Sequence, residues 1–142
     1  MIKQGLTMTT RTPVRGLMTL VERSKDVELH GFKITAVEAD AAKGQLPTYK
    51  TPVIKTAPPV IFLHGLLGQG RMWRQFALND IISRDRDVFL LDLRNHGESD
   101  HHPSMQYEEM AEDLLRYIDR REINKVTLIG HNIGGKTAMA FA

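Results

Sequence analysis

The chain of 142 residues has no cysteine. That excludes disulfides, thiolate metal sites and a cysteine nucleophile. It lacks any apolar run near the roughly 20 residues that a membrane helix needs. It also lacks a large charge of either sign: the net charge is +2, too small to suggest nucleic-acid binding. Internal repeats and low-complexity tracts are absent as well. What remains is ordinary globular material, 42% hydrophobic and 25% charged, of a length that suits one domain.

The small charge is unevenly spread. Residues 1–55 hold 9 Lys+Arg and 5 Asp+Glu, and residues 56–142 hold 10 and 12. Within residues 1–25, Lys3, Arg11, Arg15, Arg23 and Lys25 face a single acid, Glu22. Val14, Leu17, Met18 and Val21 fall at helical spacing. A basic, acid-poor, amphipathic leader of this kind fits an organelle transit peptide, and residues 1–25 are expected to address the chain to mitochondria. The alternative is a basic tail on a cytoplasmic protein.

Residues 26–57 read as N-terminal strands and an insertion loop. Two short strands, 26–30 and 32–38, are expected around a turn at Gly31. Gly44, Pro47 and Pro52 then mark a loop over 39–57. From residue 58 the pattern alternates. Apolar runs without polar alternation, at 60–63, 88–93 and 126–129, predict strands buried on both faces. Between them a helix is expected over 72–83. A second should follow Ser104 as its N-cap, with Tyr107, Met110, Ala111, Leu114 and Ile118 as its apolar stripe. The acidic run at 108–113 reads as a solvated face of that helix. Ile133 begins a further helix. Strands alternating with helices predict an α/β fold, a mostly parallel sheet flanked by helices.

Two glycine-bearing turns follow strands directly. His64-Gly65-Leu66-Leu67-Gly68 leaves the first buried strand. In acyl-transfer sites such a loop lets a backbone N–H approach a developing oxyanion. About 65 residues later comes Gly130-His131-Asn132-Ile133-Gly134-Gly135, a strand–turn–helix run with the spacing of a nucleophile elbow, G-x-S-x-G. Asn132 stands where that motif has serine. An elbow needs φ > 0, which Asn tolerates better than most residues. A carboxamide nitrogen has its lone pair drawn into the carbonyl, so it does not serve as an acyl-transfer nucleophile.

With P-P-V-I-F-L-H-G-L-L-G (58–68), D-L-R-N-H-G-E-S (92–99), M-Q-Y-E-E-M-A-E-D-L (105–114) and G-H-N-I-G-G-K-T-A-M (130–139) in order, residues 58–142 resemble the α/β-hydrolase superfamily. The resemblance is to the mitochondrial abhydrolase-domain esterase branch and its bacterial relatives. It implies the N-terminal part of an α/β-hydrolase fold, truncated after the nucleophile elbow. It implies Leu66 and Ile133 as the oxyanion-hole donors and Asn132 at the nucleophile position. His64, Gly65, Asp92, Arg94, His96, Gly130, His131, Gly134 and Gly135 would have structural roles in the motifs. Asp92 and Arg94 are expected to hold the turn after their strand.

In the family, the triad acid and histidine follow later strands, so a chain ending at Ala142 is expected to lack both. The implied activity is hydrolysis or transfer of an acyl group from an ester or thioester. The chain is expected to be an incomplete or inactivated esterase relative. The alternatives are a pseudoenzyme that binds an acyl ligand or partner, and a fragment of an active hydrolase. The partner expected is a small acyl-ester or thioester ligand, with no cofactor, metal, nucleic acid or membrane span. Asp92, His96, Asp100, His101 and His102 match no metal-site spacing. Aspartate fills the elbow position in dehalogenase and epoxide-hydrolase relatives, one deamidation away from Asn132.

Overall fold

A computed structural model describes residues 27–34 and 55–142. The leader at 1–25 and most of the insertion loop lie outside the described residues. Four strands form one sheet: β1 (Gly31–Ile34), β2 (Val60–Leu63), β3 (Val88–Leu91) and β4 (Thr127–Gly130). Their order is β1-β3-β2-β4. β2 runs parallel to both β3 and β4, and β1 joins β3 antiparallel. The helical elements are a 3-10 turn at Gly70–Trp73, then α1 (Arg74–Ala77), α2 (Asp80–Ser83), α3 (Tyr107–Arg120) and α4 (Ile133–Phe141).

The two central strands are buried at all four positions. Because side chains alternate along a strand, each apolar run feeds two cores. Ile61, Leu63, Phe89 and Leu91 meet Met110, Leu114, Tyr117 and Ile118 of α3 on one face. Val60, Phe62, Val88 and Leu90 meet Ala77, Trp73 and Ile82 on the other. Burying one such leucine or phenylalanine contributes about 1.5–3 kcal/mol, so the α3 stripe alone is enough to fix that helix to the sheet.

Several expectations change. Residues 27–30 form no strand, and Gly31 opens β1 instead of turning a hairpin. A Cβ at residue 31 would sit 2.3 Å from the Tyr117 hydroxyl, so the glycine lets that ring pack against the strand. The 27–30 segment instead bonds the loop after β3: the Asp92 N–H donates to the His30 carbonyl (2.9 Å) and the Asp100 N–H to that of Glu28 (3.1 Å).

The helix expected over 72–83 is broken. Asn79 interrupts it and accepts the Ile81 N–H on its Oδ1 (2.9 Å), starting a new helix as asparagine readily does. Ser104 does not cap α3. The helix begins at Tyr107 with Gln106 before it, and no side chain caps it. The Ser104 carbonyl is instead held by the Arg94 guanidinium (3.1 Å). β4 starts one residue later than expected and is only partly buried, because it lies at the sheet edge. No helix among the described residues is long and apolar enough to cross a membrane.

Candidate functional site

The three loops that leave the carboxyl ends of β2, β3 and β4 converge, and that end of an open parallel sheet is where such folds bind ligands. An open cleft of ≈ 570 Å³ lies there, lined by His64, Gly65, Leu66, Met72, Trp73, Phe76, His131 and Asn132 among others.

Asn132 is at the turn between β4 and α4, with φ 53° and ψ −116°. That region is sparsely populated and needs support from its surroundings. Gly134 supplies part of it. Its N–H donates to the His131 carbonyl (2.9 Å) and the His64 carbonyl (3.2 Å). A Cβ at residue 134 would sit 2.5 Å from the Leu63 oxygen, so helix and strand close only with glycine there. Gly130 and Gly135 flank the same contact, and Gly65 faces the His131 ring. The Lys136 N–H donates to the Asn132 carbonyl (3.1 Å), which begins α4.

The Asn132 side chain is exposed to the cleft, and its Oδ1 accepts the Leu66 N–H (3.3 Å). The two loops singled out in the sequence thus meet through Asn132 and Leu66. Ile133 is in the first turn of α4, where helix geometry gives an amide no acceptor of its own.

The two histidines nearest the centre brace loops. The His64 ring is buried, with Nδ1–H donating to the Gly65 carbonyl (2.7 Å) and Nε2 accepting the Leu93 N–H (3.0 Å). That pairing fixes the neutral form. Burial holds its pKa below the usual 6.5, against the opposing hydrogen bond to Gly65. The His96 Nδ1–H donates to the Arg94 carbonyl (2.8 Å), and its Nε2 accepts the Leu67 N–H (3.2 Å). The two rings lie 4.9 Å apart. Both nitrogens of each ring are therefore engaged, which leaves His131, exposed beside Asn132, as the histidine open to the cleft.

Asp92 lies in the turn after β3. Its Oδ1 accepts the Gly70 N–H (2.6 Å) and its Oδ2 the Glu98 N–H (3.0 Å). Arg94 does more than hold that turn. It is fully buried and reaches α3, pairing with Asp113 and with Glu109 (2.6 Å). Burial works against its charge, but the hydrogen bonds and charges of those two carboxylates outweigh it and raise its pKa. Glu109 is held below the usual carboxylate range, first by Ser104 and then by Arg94, against the opposing cost of burial.

The acidic run at 108–113 is therefore not wholly a solvated face: Asp113 is buried and Glu109 half-buried. Their i,i+4 spacing, one residue ahead of Met110 and Leu114, was the signal that two acids turn inward beside the apolar stripe. The cleft wall of Met72, Trp73 and Phe76 was also missed. Met72 and Phe76 stay largely exposed at 69% and 63%, unusual for large apolar side chains and typical of a ligand surface. Among the described residues, no group of three or more His, Cys, Asp or Glu side chains is placed to hold a metal ion.

Comparison with known proteins agrees with this geometry. A family model described as alpha/beta hydrolase fold matches residues 58–142. The chain is 46% identical over 88 residues to a Saccharomyces cerevisiae protein named "Probable alcohol acetyltransferase", covering 60% of this chain and 26% of that one. It is 32% identical over 127 residues to the sn-1-specific diacylglycerol lipase ABHD11 of Xenopus laevis, covering 89% of this chain and 38% of the relative. A marine microorganism esterase superimposes with a TM-score of 0.62 at 36% identity, over 81% of this chain and 36% of that structure. The chain thus spans well under half the length of these proteins.

Proposed function

The chain belongs to the α/β-hydrolase fold family, and from that premise we propose that its cleft binds the acyl part of an ester or thioester without forming a serine acyl-enzyme. The observation that carries this reading is the pairing of Asn132 with Leu66. The elbow presents a carboxamide where the fold presents a nucleophile, and that carboxamide already occupies the loop donor. In this reading Leu66 and Ile133 supply N–H groups to a ligand carbonyl, as an oxyanion hole would. His64, His96, Asp92 and Arg94 fix the loops that carry those groups. Met72, Trp73 and Phe76 take the apolar chain. Names such as acetyltransferase, diacylglycerol lipase and esterase among the relatives support acyl groups as the ligand class.

Two measurements test the reading. The first is thermal unfolding with a series of medium- and long-chain acyl esters, where the transition should rise with chain length. No stabilisation by any member would overturn the binding reading. The second is labelling with a serine-directed fluorophosphonate. The parent chain should not label at the elbow. Asn132→Ser in residues 1–142 should label no faster than free serine, because His64 and His96 have both nitrogens engaged and cannot take its proton. Rapid labelling of the variant that is lost on His131→Ala would show that His131 acts as base.

A second reading is favoured by the coverage of the relatives: these residues form the elbow portion of a longer hydrolase. A transcript read through codon 132 and past codon 142 separates the two. The mitochondrial address proposed for residues 1–25 rests on their basic, acid-poor pattern alone.

A further inference from the structure

We propose that Asn132 is a self-modification site, poised to cyclise onto the backbone nitrogen of Ile133 and so to lose its amide as ammonia. The inference stands apart from acyl binding and holds whether or not the cleft takes a ligand.

The argument begins with ψ. In an L-residue, Cβ lies about 120° from the backbone nitrogen around the Cα–C bond, a consequence of tetrahedral chirality. At ψ −116° the nitrogen of the next residue is therefore eclipsed with Cβ. A five-membered succinimide ring contains Cα, Cβ and Cγ of Asn132, its carbonyl carbon and the Ile133 nitrogen. Closing it requires that same eclipse. An unfolded chain must find it against torsional preference, whereas the elbow holds it.

Two further features act the same way. The Ile133 amide belongs to the first turn of α4, so its proton is not tied into the helix ladder. The Asn132 side-chain oxygen Oδ1 accepts the Leu66 N–H, which draws electrons away from Cγ. The carboxamide is also exposed in the cleft, so water reaches it.

In the reaction, the Ile133 nitrogen forms a bond to Cγ. The Cγ–Nδ2 bond breaks, and ammonia leaves carrying the proton from the Ile133 nitrogen. Water then opens the ring. Attack at Cγ gives aspartate with the normal backbone. Attack at the backbone carbonyl gives isoaspartate, with one extra backbone atom in the turn. The β-branched Ile133 crowds this reaction in a flexible peptide, so a fast reaction here must come from the fold.

The test is incubation of the full chain at mildly alkaline pH, followed by peptide mapping by mass spectrometry. Expected are a succinimide lighter by one ammonia and then aspartyl or isoaspartyl products at residue 132. The rate should exceed that of the same chain unfolded in urea by roughly tenfold or more, the modest end of what preset geometry provides. Asn79 and Asn124 in the same digest serve as internal references. Asn132→Gln would need a larger ring and should abolish the signal. A folded rate equal to or below the unfolded one, or modification at Asn79 or Asn124 ahead of Asn132, would overturn the proposal.

Discussion

Arg94 and Asp113 form a two-bonded fork inside the protein, Nε to Oδ2 at 2.6 Å and Nη2 to Oδ1 at 2.9 Å. The pair joins the loop after β3 to the middle of α3. A guanidinium fits this geometry and an ammonium does not.

Breaking the fork therefore costs more than a surface pair. Asp113→Ala should destabilise the chain by about 3–5 kcal/mol, nearer the lower figure because Glu109 still pairs with Arg94. Arg94→Lys should also destabilise, since it loses one of two parallel bonds and cannot reach both carboxylates. Urea unfolding monitored at Trp73 reads both. A loss of under about 1 kcal/mol for Asp113→Ala would mean the pair behaves like an exposed one.

His64 gives a pH dependence of definite sign. Its pKa in the folded chain is lowered from 6.5 by burial, so the unfolded chain takes up a proton first as pH falls. Stability is complete above 6.5 and declines as pH drops below it, until the folded ring also protonates. His64→Gln, which keeps a donor and an acceptor, should show a flatter decline as pH falls below 6.5. Equal slopes for parent and variant would remove His64 as the cause. Asp87 and Glu109, both with lowered pKa values, contribute stability at neutral pH that is lost only at more acidic pH, below the window in which His64 acts.

Among the described residues no strand pairs with the outer side of β4, which borders an open groove of ≈ 750 Å³ between α3 and α4, lined by Leu115, Val126, Leu128, Met139 and Phe141 among others. An apolar edge with unpaired backbone groups is a template for association. The chain of residues 1–142 should therefore self-associate at micromolar concentration. Combining Leu115→Glu with Met139→Lys, both on exposed positions, should reduce this. Light scattering provides the readout. A monomeric parent that unfolds cooperatively would contradict the expectation.

Residues 1–30 fused to a fluorescent reporter should bring it to mitochondria. The expectation comes from five basic residues against one acid in residues 1–25. A reporter that stays in the cytosol would leave the basic-tail reading.

The sheet and the site loops were legible because the strands consist of unbroken apolar runs and the loops carry glycines at fixed spacing. Both features are local. What escaped was set by individual side-chain contacts, some local and some between elements. The stop at Asn79 depends on its side chain bonding forward. Ser104 is not a cap because the helix starts three residues later, at Tyr107, while Arg94 holds the Ser104 carbonyl and the Ser104 hydroxyl takes the Gln106 N–H. Gly31 looks like a turn until Tyr117 is packed against it. Spacing places Glu109 and Asp113 beside the apolar stripe, but the buried cation that holds them there, Arg94, comes from another element and only the structure supplies it.

The bond from Leu66 to Asn132 means that the cleft comes with its own competitor. A ligand carbonyl does not meet a bare donor. It has to displace a tethered acceptor, and exchanging one acceptor for another is close to neutral where a fresh bond would contribute about 1 kcal/mol. Polar head groups then discriminate poorly among ligands. Selection passes to the wall of Met72, Trp73 and Phe76, where each added methylene contributes about 0.8 kcal/mol when fully buried. On the proposed acyl-binding reading, such a surface would rank ligands by the length and shape of their hydrocarbon and be nearly blind to the alcohol or thiol they are attached to.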